Sequence, residues 1–145
     1  MIREAERKDA VAILGLIKEL AAYEKEPDAV IVTPAQLEND LFNEQICHAL
    51  VVEVAGEIIG FALYYFAYST WKGKCLYLED FYLKPESRRA GWGLKLFQKV
   101  KNVAIQEQVK RMDWQVLEWN TPAIEFYKKV GATLDPTWIN GRLFF

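Results

Sequence analysis

The amino-acid sequence predicts a single α/β (α+β) domain over residues 1–145: a mixed, mostly antiparallel central sheet with helices on both faces. Three observations predict it. Two apolar stretches of strand length, His48–Val54 and Ile58–Tyr68, are joined by Ala55-Gly56-Glu57, a short glycine-containing connection that makes neighbouring strands antiparallel. Segments with helical spacing lie on either side of them: Ala10, Ile13, Leu14, Ile17, Leu20 and Ala21 before, and Leu96, Phe97, Val100, Val103 and Ala104 after. A turn with two glycines, residues 88–93, leads from a strand into a helix.

The elements follow in order. Ile2 to Ala5 forms a short first strand, and residues 8–23 an amphipathic helix that is broken by Pro27. Thr33-Pro34-Ala35-Gln36 starts a second helix, with an N-cap, a proline at the first helical position and a capping-box glutamine. After the hairpin, the turn Trp71-Lys72-Gly73 opens a third long strand, Lys74 to Leu83. Strict alternation there places Tyr77, Glu79, Phe81 and Leu83 on one face and Leu76, Leu78, Asp80 and Tyr82 on the other, so Glu79 and Asp80 point to opposite faces. Residues 93–108 are helical, and Met112 to Trp119 reads as a strand. Thr121-Pro122 opens a last helix carrying Ile124, Tyr127 and Val130 inward, with Gly131 as its stop. Leu143-Phe144-Phe145 reads as a final strand.

Composition narrows the function. Hydrophobic residues at 52% and charged residues at 26% describe a globular chain with a substantial core. The net charge of -2 lacks the basic excess of most nucleic-acid binders. The charged start, Met1 to Arg7, has no apolar signal region, and no apolar run is long enough to cross a bilayer; a cytoplasmic setting without membrane association is expected. Cys47 and Cys75 lie far apart in sequence, and His48 is the only histidine, so no metal site is expected.

Arg88-Arg89-Ala90-Gly91-Trp92-Gly93 is the most informative stretch. Glycines at a strand-to-helix turn let backbone N–H groups face an anion, and the helix adds its positive N-terminal end. Two arginines add donors and charge. No Gly-Lys-Ser/Thr follows, which excludes a Walker A loop, and a dinucleotide fingerprint lacks its third glycine near Leu96.

Arg88-x-x-Gly91-x-Gly93 resembles the acetyl-CoA signature of the GNAT N-acetyltransferase superfamily, Arg/Gln-x-x-Gly-x-Gly/Ala. Four further stretches resemble its spermidine/spermine (diamine) branch. They are Leu16-Ile17-Lys18-Glu19-Leu20-Ala21-x-Tyr23-Glu24, Gly60-Phe61-Ala62-x-Tyr64-Tyr65-Phe66, Tyr77-Leu78-Glu79-Asp80-Phe81, and Glu118-Trp119-Asn120-x-Pro122-x-Ile124-x-Phe126-Tyr127-Lys128. The resemblance implies a fold whose fourth and fifth strands splay apart. It implies acetyl-CoA as cosubstrate, a small cationic amine as acceptor, no metal and a homodimer. The pantetheine arm falls to the backbone of Phe81, Tyr82 and Leu83. Pyrophosphate contacts fall to Arg88, Arg89, Ala90, Gly91, Trp92, Gly93 and Leu94, and the other wall of the cofactor site to Asn120, Pro122 and Ala123.

Tyr127 matches the family's general acid, a phenol with a pKa near ~10 suited to protonating a departing thiolate. Periodicity alone makes it a core residue beside Ile124 and Val130. Glu79 matches the group at the reacting amine. Its ordinary pKa near ~4.3 makes unaided deprotonation of an ammonium steeply uphill, so a water relay is the better reading. Asp80 binds a distal ammonium or is structural. Tyr23 and Glu24 match the second substrate segment, though Glu24 to Asp28 also reads as a solvated acidic loop. Ile139 stands where the diamine branch has a substrate-binding carboxylate, which argues against spermine-like specificity. Two alternatives remain open beside a diamine or polyamine acceptor: acetylation of a lysine-like amino acid such as thialysine, and a non-catalytic acyl-CoA-binding module.

Overall fold

In the computed structural model, which describes residues 1–145, five strands form one sheet in chain order. They are β1 (Ile2–Glu4), β2 (His48–Val54), β3 (Glu57–Ser69), β4 (Gly73–Leu83) and β5 (Met112–Asp113). β1 to β4 pair antiparallel, and β5 runs parallel to β4. The helices are α1 (Ala10–Tyr23), α2 (Pro34–Phe42), α3 (Trp92–Gln106) and α4 (Thr121–Lys129). No helix is long and apolar enough to cross a membrane. The chain divides into two compact units, Met1–Trp114 and Gln115–Phe145.

Local chemistry explains the element boundaries in the first unit. Ala55 and Gly56, at φ 51° and 79°, close the β2–β3 hairpin between paired Val54 and Glu57. Two positive φ angles in a two-residue loop match the strand twist. At α2, the Thr33 hydroxyl accepts from the Gln36 N–H at 3.2 Å and the Gln36 side chain accepts from the Thr33 N–H at 3.4 Å, the reciprocal cap expected from the sequence. α1 and α3 close with paired 6→1 and 5→2 hydrogen bonds around Lys25 (φ 66°) and Gln108 (φ 57°).

The sheet is covered on both faces. Phe61 and Leu63 of β3, Ala49 and Val51 of β2, and Tyr82 of β4 pack with Ile13, Leu14 and Leu16 of α1 and Leu37 and Leu41 of α2. The opposite face takes α3 through its buried Leu96, Phe97, Val100 and Ala104. Phe97 stands edge-on to Phe81 of β4, with ring centroids 5.9 Å apart.

β5 is far shorter than the strand expected over Met112 to Trp119. It pairs with β4 only at Leu76↔Met112 and Tyr77↔Asp113. The Trp114 ring then turns onto Phe97, 5.6 Å between centroids, which takes the chain off the ladder. The β4 edge opposite β3 therefore carries no strand from Leu78 to Leu83. This is the expected splay of the fourth and fifth strands.

In the second unit, the Asn120 side chain caps α4 by accepting from the Ala123 N–H at 3.4 Å. Gly131 (φ 88°) ends the helix: its N–H donates to Lys128 and the Ala132 N–H to Tyr127, each at 3.0 Å. The expected strand Leu143–Phe145 is not formed, and all three side chains are exposed. A strand exists only against a partner, and no strand of the sheet pairs with this segment. Upstream, the Asp135 carboxylate accepts from both the N–H and the hydroxyl of Thr137.

Candidate active site

Two features converge on the end of β4. The first is the turn into α3. Gly91, the N-cap, sits at φ 83°, and a Cβ there would meet open space. No side chain caps the helix, and the first helical bond runs from the Lys95 N–H to the Gly91 carbonyl at 3.2 Å. The N–H groups of Trp92, Gly93 and Leu94 thus precede the intrahelical ladder, at the positive end of a 15-residue helix. An open cradle of backbone donors fits a phosphate group. Arg89, at φ 69°, takes the left-handed conformation without being glycine, a cost of roughly 1–2 kcal/mol.

Arg88 does not follow the turn outward. Its Nε donates to the Leu83 carbonyl at 3.0 Å, and its guanidinium lies 5.4 Å from the Tyr82 ring centroid and 5.6 Å from that of Tyr23. The Lys84 N–H bonds back to Ile59 of β3, so by alternation the backbone of Leu83, and of Phe81 before it, faces the edge that β5 leaves.

The second feature is a carboxylate cluster. The β3–β4 register pairs Leu63 with Asp80 and Tyr64 with Leu78, leaving Glu79 as the extra residue of a β-bulge. The bulge overturns the alternation expected for this strand. Asp80 shares the face of Leu63 and Tyr82 the face of Phe61, the side covered by α1 and α2. Phe81 and Leu83 share the α3 face. Glu79, the extra residue of the bulge, also turns to the α1 side, where its charge acts on the phenols of the cross-strand pair Tyr65 and Tyr77. Glu79 and Asp80 therefore lie on one face rather than on opposite ones. Glu24, the C-cap of α1, joins them electrostatically.

No basic side chain forms an ion pair with any of the three carboxylates. Burial, then the negative charges of Glu79 and Glu24, pushes the Asp80 carboxyl up to about 7. Burial and Glu79 also raise Glu24. Unpaired carboxylates in such a cluster favour a positive charge beside them.

Tyr65 and Tyr77 flank the cluster, with ring centroids 5.3 Å apart, and burial followed by the charge of Glu79 raises both phenols. Sequence reading missed them. Their signal is the cross-strand pairing Tyr65↔Tyr77, which appears only once the register is known.

The second unit carries the remaining candidates. Tyr127 is buried in α4, 7% exposed, with its ring 5.5 Å from that of Phe126. Asn120, Pro122 and Ala123 form the first turn of α4, Asn120 as its cap.

Residues 13–132 match the model of the acetyltransferase (GNAT) family. A thialysine N-epsilon-acetyltransferase of Bos taurus is 45% identical over 141 residues, covering 91% of this chain and 83% of that protein. A spermidine/spermine N(1)-acetyltransferase-like protein 1 of Homo sapiens is 40% identical over 139 residues, covering 90% of this chain and 20% of that protein. Among solved structures, an aminoglycoside acetyltransferase from an uncultured soil metagenomic sample, in complex with trehalose, superposes with a TM-score of 0.82 at 17% identity. It covers 100% of this chain and 95% of that one, a likeness of fold.

Proposed function

The chain belongs to the GNAT acetyltransferase family, and from that membership we propose that it moves the acetyl group of acetyl-CoA to a primary amine of a small cationic acceptor, a diamine or polyamine. The observation that carries the acceptor class is the cluster of Glu24, Glu79 and Asp80, which has no cation of its own. The 45% identity with the thialysine enzyme supports a second reading, a lysine-like amino acid as acceptor.

Acetyl-CoA brings an activated acetyl thioester; the chain supplies placement and proton handling. The α3 turn, Arg89 through Leu94, holds the pyrophosphate on backbone donors. The β4 edge at Phe81, Tyr82 and Leu83 holds the pantetheine arm by strand-like hydrogen bonds. Asn120, Pro122 and Ala123 line the other wall. Glu79 draws the proton from the reacting ammonium through water, while Asp80 and Glu24 hold a distal ammonium and Tyr23 borders it. Tyr127 gives a proton to the departing thiolate.

A thiol-release assay over an amine panel tests the proposal. Release with diamines at a higher kcat/KM than with thialysine is expected. The reverse order selects the second reading, and acetyl-CoA binding without release for any amine makes the chain a binding module. For Tyr127→Phe, kcat should fall ~10²–10⁴-fold with KM for acetyl-CoA nearly kept, since a general acid acts in the transition state. Wild-type kcat in the folded variant, with chemistry rate-limiting, returns Tyr127 to packing alone.

A further inference from the structure

Arg88 is the first residue of the signature turn, yet its side chain runs back across the end of β4 toward α1. Three contacts fix it there: the 3.0 Å bond from Nε to the Leu83 carbonyl, and the Tyr82 and Tyr23 rings at 5.4 and 5.6 Å from the guanidinium carbon. The Tyr82 ring is buried, and the Glu19 carboxylate of α1 lies close enough for its charge to act on the phenol. Tyr23 is the last residue of α1, and the next residue is Glu24 of the carboxylate cluster. The end of α1 thus meets this region at two points, Glu19 beside Tyr82 of β4 and Tyr23 on Arg88 just past it. Only the second contains a residue of the turn.

We propose that Arg88 is a positioning residue that couples the anion-binding turn to the acceptor end of α1, so that filling the turn sets Tyr23 and Glu24 for the amine. This rests on the acetyltransferase reading of the same site. The backbone next to Arg88 is strained: Arg89 stands at φ 69° with a side chain. A bound phosphate holds that backbone, and the guanidinium is tied to it. The chain just past Tyr23 has little slack to absorb a shift. The Lys25 N–H bonds to Ala22 at 3.1 Å and the Glu26 N–H to Ala21 at 2.8 Å, with Lys25 itself left-handed. A change at the Tyr23 ring therefore reaches Glu24 directly. The coupling is reciprocal, so acceptor binding also tightens the cofactor.

The test is hydrogen exchange on the full chain, with and without coenzyme A, together with steady-state kinetics. In the wild type, coenzyme A should slow exchange over residues 20–28. In Arg88→Met, which keeps the aliphatic stem, that protection should vanish even at coenzyme A concentrations that saturate the variant. At saturating acetyl-CoA its KM for a diamine should rise about 3–10-fold, the scale of one lost cation–π contact. The KM for a monoamine should move less, because Glu24 meets only the distal ammonium. Coenzyme A that still protects residues 20–28 in Arg88→Met, with only its own affinity weakened, would make Arg88 a plain phosphate ligand and overturn the proposal. So would a wild type without protection there. Should Arg88→Met fail to fold, Tyr23→Leu breaks the same contact from the other side and should lose the same protection; protection retained in it overturns the proposal too. Failure of the acetyltransferase reading looks different: no thiol release by the wild type with any amine, whatever the exchange shows.

Discussion

The turn into α3 follows Glu79 and Asp80 closely in sequence, yet the turn and the carboxylate cluster are made of different parts of the chain. The turn is backbone: what matters at Gly91 is a φ of 83° and an empty position where a Cβ would stand. The cluster is side chain: what matters is that a bulge turns Glu79 and Asp80 to the face where Glu24 waits. A backbone site tolerates exchange of most neighbouring side chains but not a wrong torsion. A side-chain site tolerates backbone adjustment but not loss of one carboxylate. The cluster also destabilises the fold that carries it, because its charges repel and are partly desolvated.

Gly91→Val probes the backbone half and carries the larger effect. The new side chain enters the open cradle, and its β-branch resists the left-handed conformation at a cost of roughly 1–2 kcal/mol. Acetyl-CoA affinity by calorimetry should fall about 100-fold, equivalent to losing one or two charge-assisted hydrogen bonds, while amine recognition in the remaining activity is kept. A folded variant with unchanged affinity removes the turn from the cofactor site.

Asp80→Asn probes the side-chain half and should act on stability with a definite sign. The Asp80 carboxyl, raised to about 7 by burial and by Glu79 and Glu24, binds its proton more tightly folded than unfolded. From the ordinary carboxylate range near ~4 up to 7, the folded state holds more protons than the unfolded state. Stability from this group is therefore full at low pH and is lost as pH rises through that window. The asparagine variant should unfold at higher urea, by about 2–4 kcal/mol at pH 8, and nearly match the wild type at pH 4. A difference independent of pH would show that Asp80 titrates normally and that the cluster is solvated. A gain in stability with a loss of diamine affinity is the expected signature of a functional carboxylate.

The same division explains what was legible in the sequence. Features set by a few adjacent residues were readable: the β2–β3 hairpin at Ala55-Gly56, the Thr33–Gln36 cap, the turn at Gly91 and the stop at Gly131. Features set by pairing with a distant segment were not. The bulge at Glu79 has no glycine and no local breaker; it follows from how β4 registers on β3, so the two carboxylates were assigned to opposite faces. Tyr65 and Tyr77 were overlooked for the same reason. The inward course of Arg88 depends on Tyr23, more than sixty residues earlier in the chain. The apolar residues Leu143-Phe144-Phe145 have strand propensity, but they pair with no strand, and propensity without pairing makes no strand.

The helix ends carry a consequence for how this sequence can drift. Three helices finish with the same left-handed cap, but only α4 uses glycine for it; α1 uses Lys25 and α3 uses Gln108. Glycine at either position would relieve torsional strain and, in return, loosen the unfolded chain, leaving a net gain of about 0.5–1 kcal/mol. Gln108 lies at the far end of α3 from the turn, so selection can accept or discard that gain without cost to catalysis, and the position should wander among lineages. Lys25 follows Glu24 directly. A freer backbone there would let the Glu24 carboxylate, which we propose holds the acceptor, roam, so the same mutation that is tolerated at one helix end is opposed at the other.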